Sequence, residues 1–100
     1  MKSASRKLLT FITEAALESV LVKDLQRLGV HGYTMTDARG RGSRGARTAA
    51  WSESSNIRVE IVCDAATAEA VATHLQTRYY EDYAMILFVT DVAVLRSEKF

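Results

Sequence analysis

The chain has no proline, a single cysteine and no internal repeat. Neither a proline-rich linker nor a repeat array therefore divides it. One cysteine, Cys63, excludes an intramolecular disulfide framework and fits a reducing compartment. No run of about 18 apolar residues occurs, and the first 15 residues lack the long apolar region and cleavage site of a signal peptide. The expectation is a soluble, cytoplasmic protein. The net charge of +1 carries no global bias toward polyanions. What is present is an ordinary globular balance, 48% hydrophobic and 25% charged over 100 residues. That length predicts one domain over residues 1–100, with one modest core burying roughly two-thirds of the surface of the unfolded chain.

Residues 7–13, KLLTFIT, are rich in strand formers and short for a helix. Thr13 is placed to cap a following helix, with Glu14 and Glu18 near its positive end. Leu17, Val20, Leu21, Leu25 and Leu28 recur at spacings of three and four, forming one apolar stripe, and Gly29 is suited to a left-handed helix stop. Residues 32–38, GYTMTDA, predict a second strand. NIRVEIVCD at 56–64 predicts a third, with Ile57, Val59, Ile61 and Cys63 on one side and Arg58 and Glu60 on the other. Asp64 or Thr67 can cap a second helix that carries Ala68, Val71, Leu75 and Tyr79 on one side. Residues 84–95 predict a last strand.

The order strand, helix, strand, strand, helix, strand predicts an α+β, ferredoxin-like βαββαβ fold. Its four-stranded antiparallel sheet would carry both helices on one face. The last strand then poses a problem. Ile86, Phe88 and Val92 on one side and Met85, Leu87 and Val89 on the other are all apolar. An edge strand of a monomer is not usually left so exposed, which points to burial against other copies in a closed cyclic oligomer.

Between the second and third strands lies DARGRGSRGARTAAWSESSN, where Arg39, Arg41, Arg44 and Arg47 alternate with Gly40, Gly42 and Gly45. Glycine lets successive N–H groups turn inward around an anion, and arginine adds planar forks for phosphate or carboxylate-like oxygens. GRGSRGAR supplies both together with the Ser43 hydroxyl. It is not a phosphate-binding Walker loop, because the Gly-Lys-Ser/Thr ending is absent and no helix follows.

The element order, GYT at 32–34, the long loop carrying GRGSRGAR before SNIRVEI, and YYEDYAMILFVTDVAVL near the end resemble the PII-like signalling proteins. Within that family the sequence is most similar to the members associated with bicarbonate transporters or carboxysomes. The resemblance covers nearly the whole of residues 7–95. It implies a PII-like homotrimer that binds adenine nucleotides (ADP, AMP, ATP, cyclic AMP) in clefts between subunits. It also implies a flexible loop, the T-loop, over 39–55. No cofactor, metal or catalytic residue is implied. The nucleotide-binding residues carried over are Thr34, Thr36, Gly40, Arg41, Gly42, Ser43, Arg44, Arg47, Asn56, Leu87, Phe88 and Val89. Arg41, Gly42, Ser43, Arg44 and Arg47 would grip phosphates, and Asn56 would hold the loop base or a ribose. The backbone of Leu87, Phe88 and Val89 from a neighbouring subunit would meet adenine, with Thr34 and Thr36 on the other wall. Bicarbonate would lie at Ser43, Arg44, Gly45 and Arg47. A nucleotide that had already ordered the loop, at ~1–2 kcal/mol per residue of backbone entropy, would ease binding of that second anion.

The implied role is a sensor in a carbon-concentrating mechanism, regulating inorganic-carbon uptake or carboxysome function through a protein partner. That partner would be a bicarbonate transporter or a carboxysome component, and it could hold the protein at a carboxysome or a membrane. Two departures favour the carboxysome branch. The sequence ends in RSEKF without the cysteine pair that gives some transporter-linked relatives a redox element. The loop is also short, with Met85 where those relatives tend to have glycine. A different reading is a small RNA-binding module using the same loop, with Trp51 stacking on a base. Against it, the strands lack the exposed aromatic pair of ferredoxin-like RNA-binding domains. An acylphosphatase-like enzyme is disfavoured because ITEAALE, after the first strand, carries neither arginine nor glycine. Cys63 reads as a core residue, His31 and His74 as turn or surface residues, and Glu81 and Asp82 as turn residues. Tyr79, Tyr80 and Tyr83 read as packing and interface residues.

Overall fold

The structure, a computed structural model, describes residues 2–40 and 55–96. Four strands, β1 (Ala4–Glu14), β2 (Thr34–Ala38), β3 (Asn56–Cys63) and β4 (Met85–Val94), form one sheet in the order β2-β3-β1-β4 with every neighbouring pair antiparallel. Helix α1 (Glu18–Arg27) joins β1 to β2, and α2 (Ala65–Tyr79) joins β3 to β4. This is the ferredoxin-like arrangement predicted from the element order. The core consists of Leu9 and Phe11 from β1, Leu17 just before α1, Leu21 and Leu25 from α1, Ile57, Val59, Ile61 and Cys63 from β3, and Ala68, Val71, Leu75 and Tyr79 from α2. Strand alternation explains the set: each β1 and β3 core residue occupies the same face of the pleat, and that face is the one the helices cover.

The α1 stop follows from Gly29, whose φ of 81° lets the chain leave the helix. Its N–H reaches the Gln26 carbonyl at 3.2 Å, and the Val30 N–H reaches that of Leu25 at 3.0 Å, the paired bonds of a Schellman stop. At the other end the expected cap is corrected. Thr13 lies inside β1, and its hydroxyl donates to the Ala84 carbonyl at 2.7 Å rather than to a helix start. A single 3-10 turn, Ala15–Leu17, separates the strand from α1, which starts without a side-chain cap. Glu14 likewise is a strand residue, while Glu18 does stand in the first helical turn. For α2 the expectation holds on Asp64, whose carboxylate accepts the Thr67 N–H at 2.8 Å.

A polar group inside the core went unanticipated. The Asp24 carboxylate on α1 is buried and accepts from Arg27 on its own helix and from the Tyr79 hydroxyl on α2, with His74 Nε2 at 3.0 Å. His74 is thus half-buried and bonded, which corrects its reading as a plain surface residue. Tyr79 is a packing residue as expected, and its ring also meets Tyr83 edge-on at 5.9 Å. Burial pushes the Asp24 carboxyl up, but the hydrogen bonds from Tyr79, His74 and Arg27 together outweigh it, so its pKa lies below the ordinary 3.8. Burial first, and then the bond to Asp24, push the Tyr79 phenol from 10.0 up to about 12.

Asp24→Ala should therefore lower unfolding stability by about 2–3 kcal/mol in a urea titration, because a buried hydroxyl loses its acceptor. The pH dependence has two limbs. The Asp24 contribution is full above its ordinary value of 3.8 and is lost as pH falls through the lowered folded value. The Tyr79 contribution is full below 10.0 and is lost as pH rises toward about 12, a limb that Tyr79→Phe should remove.

Candidate functional site

The helices cover one face of the sheet and leave the other open. Leu8, Thr10 and Ile12 of β1 share that open face with Arg58, Glu60 and Val62 of β3, Thr34 and Thr36 of β2, and Ile86 and Phe88 of β4. Two different surfaces result. Toward β2 the face is polar: Thr34 stands opposite Glu60 and Thr36 opposite Arg58, and Arg58 and Glu60 pair at 3.5 Å. Toward β4 it is apolar, with Ile86 51% and Phe88 41% exposed on an edge strand. Thr10, between them, is fully buried, and its hydroxyl has no hydrogen-bond partner among the described residues.

On the polar side, a concavity of about 340 Å³ is lined by Leu8, Gly32, Tyr33, Thr34, Glu60 and Val62. Its lining combines two aliphatic side chains with a hydroxyl, a phenol and a carboxylate. Such a lining suits a small ligand with both apolar and hydrogen-bonding surface. Of its lining, only Thr34 was expected at a site. The sequence places Leu8, Glu60 and Val62 on strands without a site role. The alternation of β3 did carry the signal that Glu60 and Val62 share a face.

The other expected residues divide into three groups. Thr36 sits next along β2 from the concavity. Asn56 is buried at the root of the long loop, opposite Ala38 on one side and Glu14 on the other. Gly40 is the last described residue as the chain enters the loop over 39–55, while Arg41, Gly42, Ser43, Arg44, Gly45, Arg47 and Trp51 lie outside the described residues. Leu87, Phe88 and Val89 lie on β4, at the opposite edge of the sheet from Thr34. Three interstrand steps, about 14 Å, separate the two edges, so one chain does not bring both walls together. The walls can meet only across two copies. Leu87 packs against the core of its own chain, so Phe88 is the side chain of this trio that β4 presents to the open face.

Among the described residues no group of three or more His, Cys, Asp and Glu side chains could hold a metal, and no helix is long and apolar enough to cross a membrane. Cys63 is a buried core residue as expected. Burial, with a smaller push from the Asp64 charge, raises its pKa and keeps it a thiol.

The model of the family described as nitrogen regulatory protein P-II matches residues 6–99, and the chain belongs to that family. The family is one of signalling proteins rather than enzymes, in agreement with the expected absence of catalysis. Among solved structures, it is similar to a protein from Thermus thermophilus classed as PII-like signaling. That match has 43% identity, covers 100% of this chain and 99% of the other, and has a TM-score of 0.82. It is also similar to CPII of Thiomonas intermedia, a nitrogen regulatory PII-like protein solved with ADP, AMP and bicarbonate bound. There the identity is 26%, the coverage 93% and 96%, and the TM-score 0.79. The same protein with ADP, AMP and acetate matches at 26% identity over 100% and 98% of the two chains, with a TM-score of 0.85.

The exposed apolar edge leads to a direct expectation. Light scattering should give the wild type a mass of several 11.1 kDa chains, and Phe88→Asp should shift it toward the single-chain mass.

Proposed function

We propose that the chain is a non-enzymatic, homotrimeric sensor of adenine nucleotide and bicarbonate. The observation that carries this reading is the placement of its two candidate walls. The polar concavity at Thr34 and the apolar strand at Phe88 occupy opposite sheet edges, an arrangement suited to clefts formed between copies. Membership of the P-II family and the ligands held by CPII support the choice of ligand.

In this reading Leu8 and Val62 hold one face of adenine, and Thr34 and Glu60 meet its edge. The neighbouring chain supplies the backbone of Leu87, Phe88 and Val89. Thr36 lines the way to the loop over 39–55, the T-loop of this domain. Gly40, Arg41, Gly42, Ser43, Arg44 and Arg47 grip the phosphates, and Asn56 holds the loop root or a ribose. Bicarbonate takes Ser43, Arg44, Gly45 and Arg47. Each anion orders the same loop and so lowers the entropy cost of the other, which makes the coupling reciprocal. The ordered loop is what a protein partner reads. A bicarbonate transporter or a carboxysome component fits the resemblance, and through it a role in inorganic-carbon uptake and a carboxysome or membrane location. The RNA-binding alternative finds less support. The two central strands carry no aromatic side chain on the open face, where a ferredoxin-like RNA-binding sheet stacks its bases.

Calorimetric titration with ADP and AMP, with and without bicarbonate, tests the reading. Saturable binding that tightens severalfold with bicarbonate and strongly prefers adenine to guanine is expected. Arg47→Ala should weaken it at least tenfold. Binding that ignores the base and falls steeply with salt would favour RNA instead.

A further inference from the structure

Glu14 is the last residue of β1, and both ladders of that strand end at this corner. Glu14 stands opposite Asn56 in the register with β3, and Thr13 stands opposite Met85 in the register with β4. One position further along β4's approach, side chains replace the backbone ladder. The Thr13 hydroxyl donates to the Ala84 carbonyl at 2.7 Å, while the Glu14 carboxylate accepts the N–H of the same residue at 2.9 Å. The next residue, Ala15, donates its N–H to the Ser55 carbonyl at 2.7 Å. Three consecutive residues thus grip two distant places. One is the peptide group on each side of Ala84, just before β4. The other is Ser55, where the arginine loop re-enters the sheet.

The grip has the chemistry of a stiff joint. Thr13 is fully buried and β-branched, so its hydroxyl has little freedom to leave. The bond to Glu14 joins a carboxylate to a backbone N–H, one of the stronger kinds of hydrogen bond. Upstream, the turn is fastened at Tyr79, whose carbonyl accepts the N–H groups of Asp82 at 3.2 Å and Tyr83 at 3.0 Å. Ala84 is where that turn is fastened to the sheet.

We propose that Thr13 and Glu14 are positioning residues forming a joint between the loop root and the start of β4. The position of the loop root at Ser55 on one side of a chain then sets the approach of Leu87, Phe88 and Val89 on the other. The inference rests on the ligand reading above, in which one chain offers its loop to one cleft and its β4 to the next. The joint passes the state of the first cleft to the wall of the second.

Amide hydrogen exchange on the full chain, followed by NMR, tests this with and without ADP plus bicarbonate. The Ala15 N–H reports the loop root and the Ala84 N–H reports the turn. In the ligand-free protein, Thr13→Val and Glu14→Ala should each speed exchange of the Ala15 N–H at least tenfold, although neither lost group bonds to it. Thr13→Ser and Glu14→Gln, which keep the hydroxyl and an acceptor oxygen, should restore it. With ligands, the wild type should slow at Ala15 and Ala84 together, whereas Thr13→Val should slow at Ala15 alone. Unchanged Ala15 exchange in both Thr13→Val and Glu14→Ala would overturn the joint, because the bonds would then be independent. If Glu14→Ala fails to fold, the shape-conserving Thr13→Val decides. A wild type that binds neither ligand in the calorimeter would sink the ligand reading, and the ligand-free comparison would still decide the joint.

Discussion

Everything in this molecule follows from a sheet with helices on one face only. Two helices are enough to bury Leu9, Phe11, Ile57, Val59 and Ile61, and they leave the opposite face to find other cover. Leu8, Ile12, Ile86 and Phe88 on that face are too apolar for a surface turned permanently to water, and β4 is an edge strand besides. The hydrophobic effect that closes the core of one chain therefore also favours bringing chains together.

The strand order divides the open face. Because β1 and β3 occupy the centre, β2 and β4 are held at opposite edges. The face is thereby split into a polar half, with Thr34, Thr36, Arg58 and Glu60, and an apolar half around Phe88. Side-chain hydrogen bonds hold the ends of the elements in register with this plan. Asp24 ties α1 to the C-terminal end of α2, while Thr13 and Glu14 fasten the turn that follows α2 to the end of β1. The turn into β4 is thus anchored from both the helical layer and the sheet.

The readings that failed share a cause. Thr13 followed by acidic residues has the composition of a helix start, but its neighbours on β3 and β4 both extend the ladder to this point. Local preference for a cap lost to two strands of hydrogen bonds. His74 was read as a turn or surface residue because a lone polar residue on a helix usually is. Its partner, Asp24 across the core, became visible only when the elements were assembled. The concavity beside Thr34 was hidden for the same reason. Its lining comes from three separate stretches of chain, and only the β3 residues among them are set together by strand period.

By itself the sequence determined the number and order of the elements, the core faces of β3 and α2, the Gly29 stop, the narrowing of the α2 cap to Asp64 or Thr67, and the position of the arginine loop. Each rests on a short-range rule: side-chain period, capping chemistry or the freedom of glycine. The tertiary structure alone decided that α1 starts after Leu17, that Asp24 is buried with Tyr79, and that one corner of β1 holds both Ala84 and Ser55. These depend on contacts between residues far apart in the chain, whose pairing emerges only when the strand order and registers are set. No local pattern encodes such a pairing.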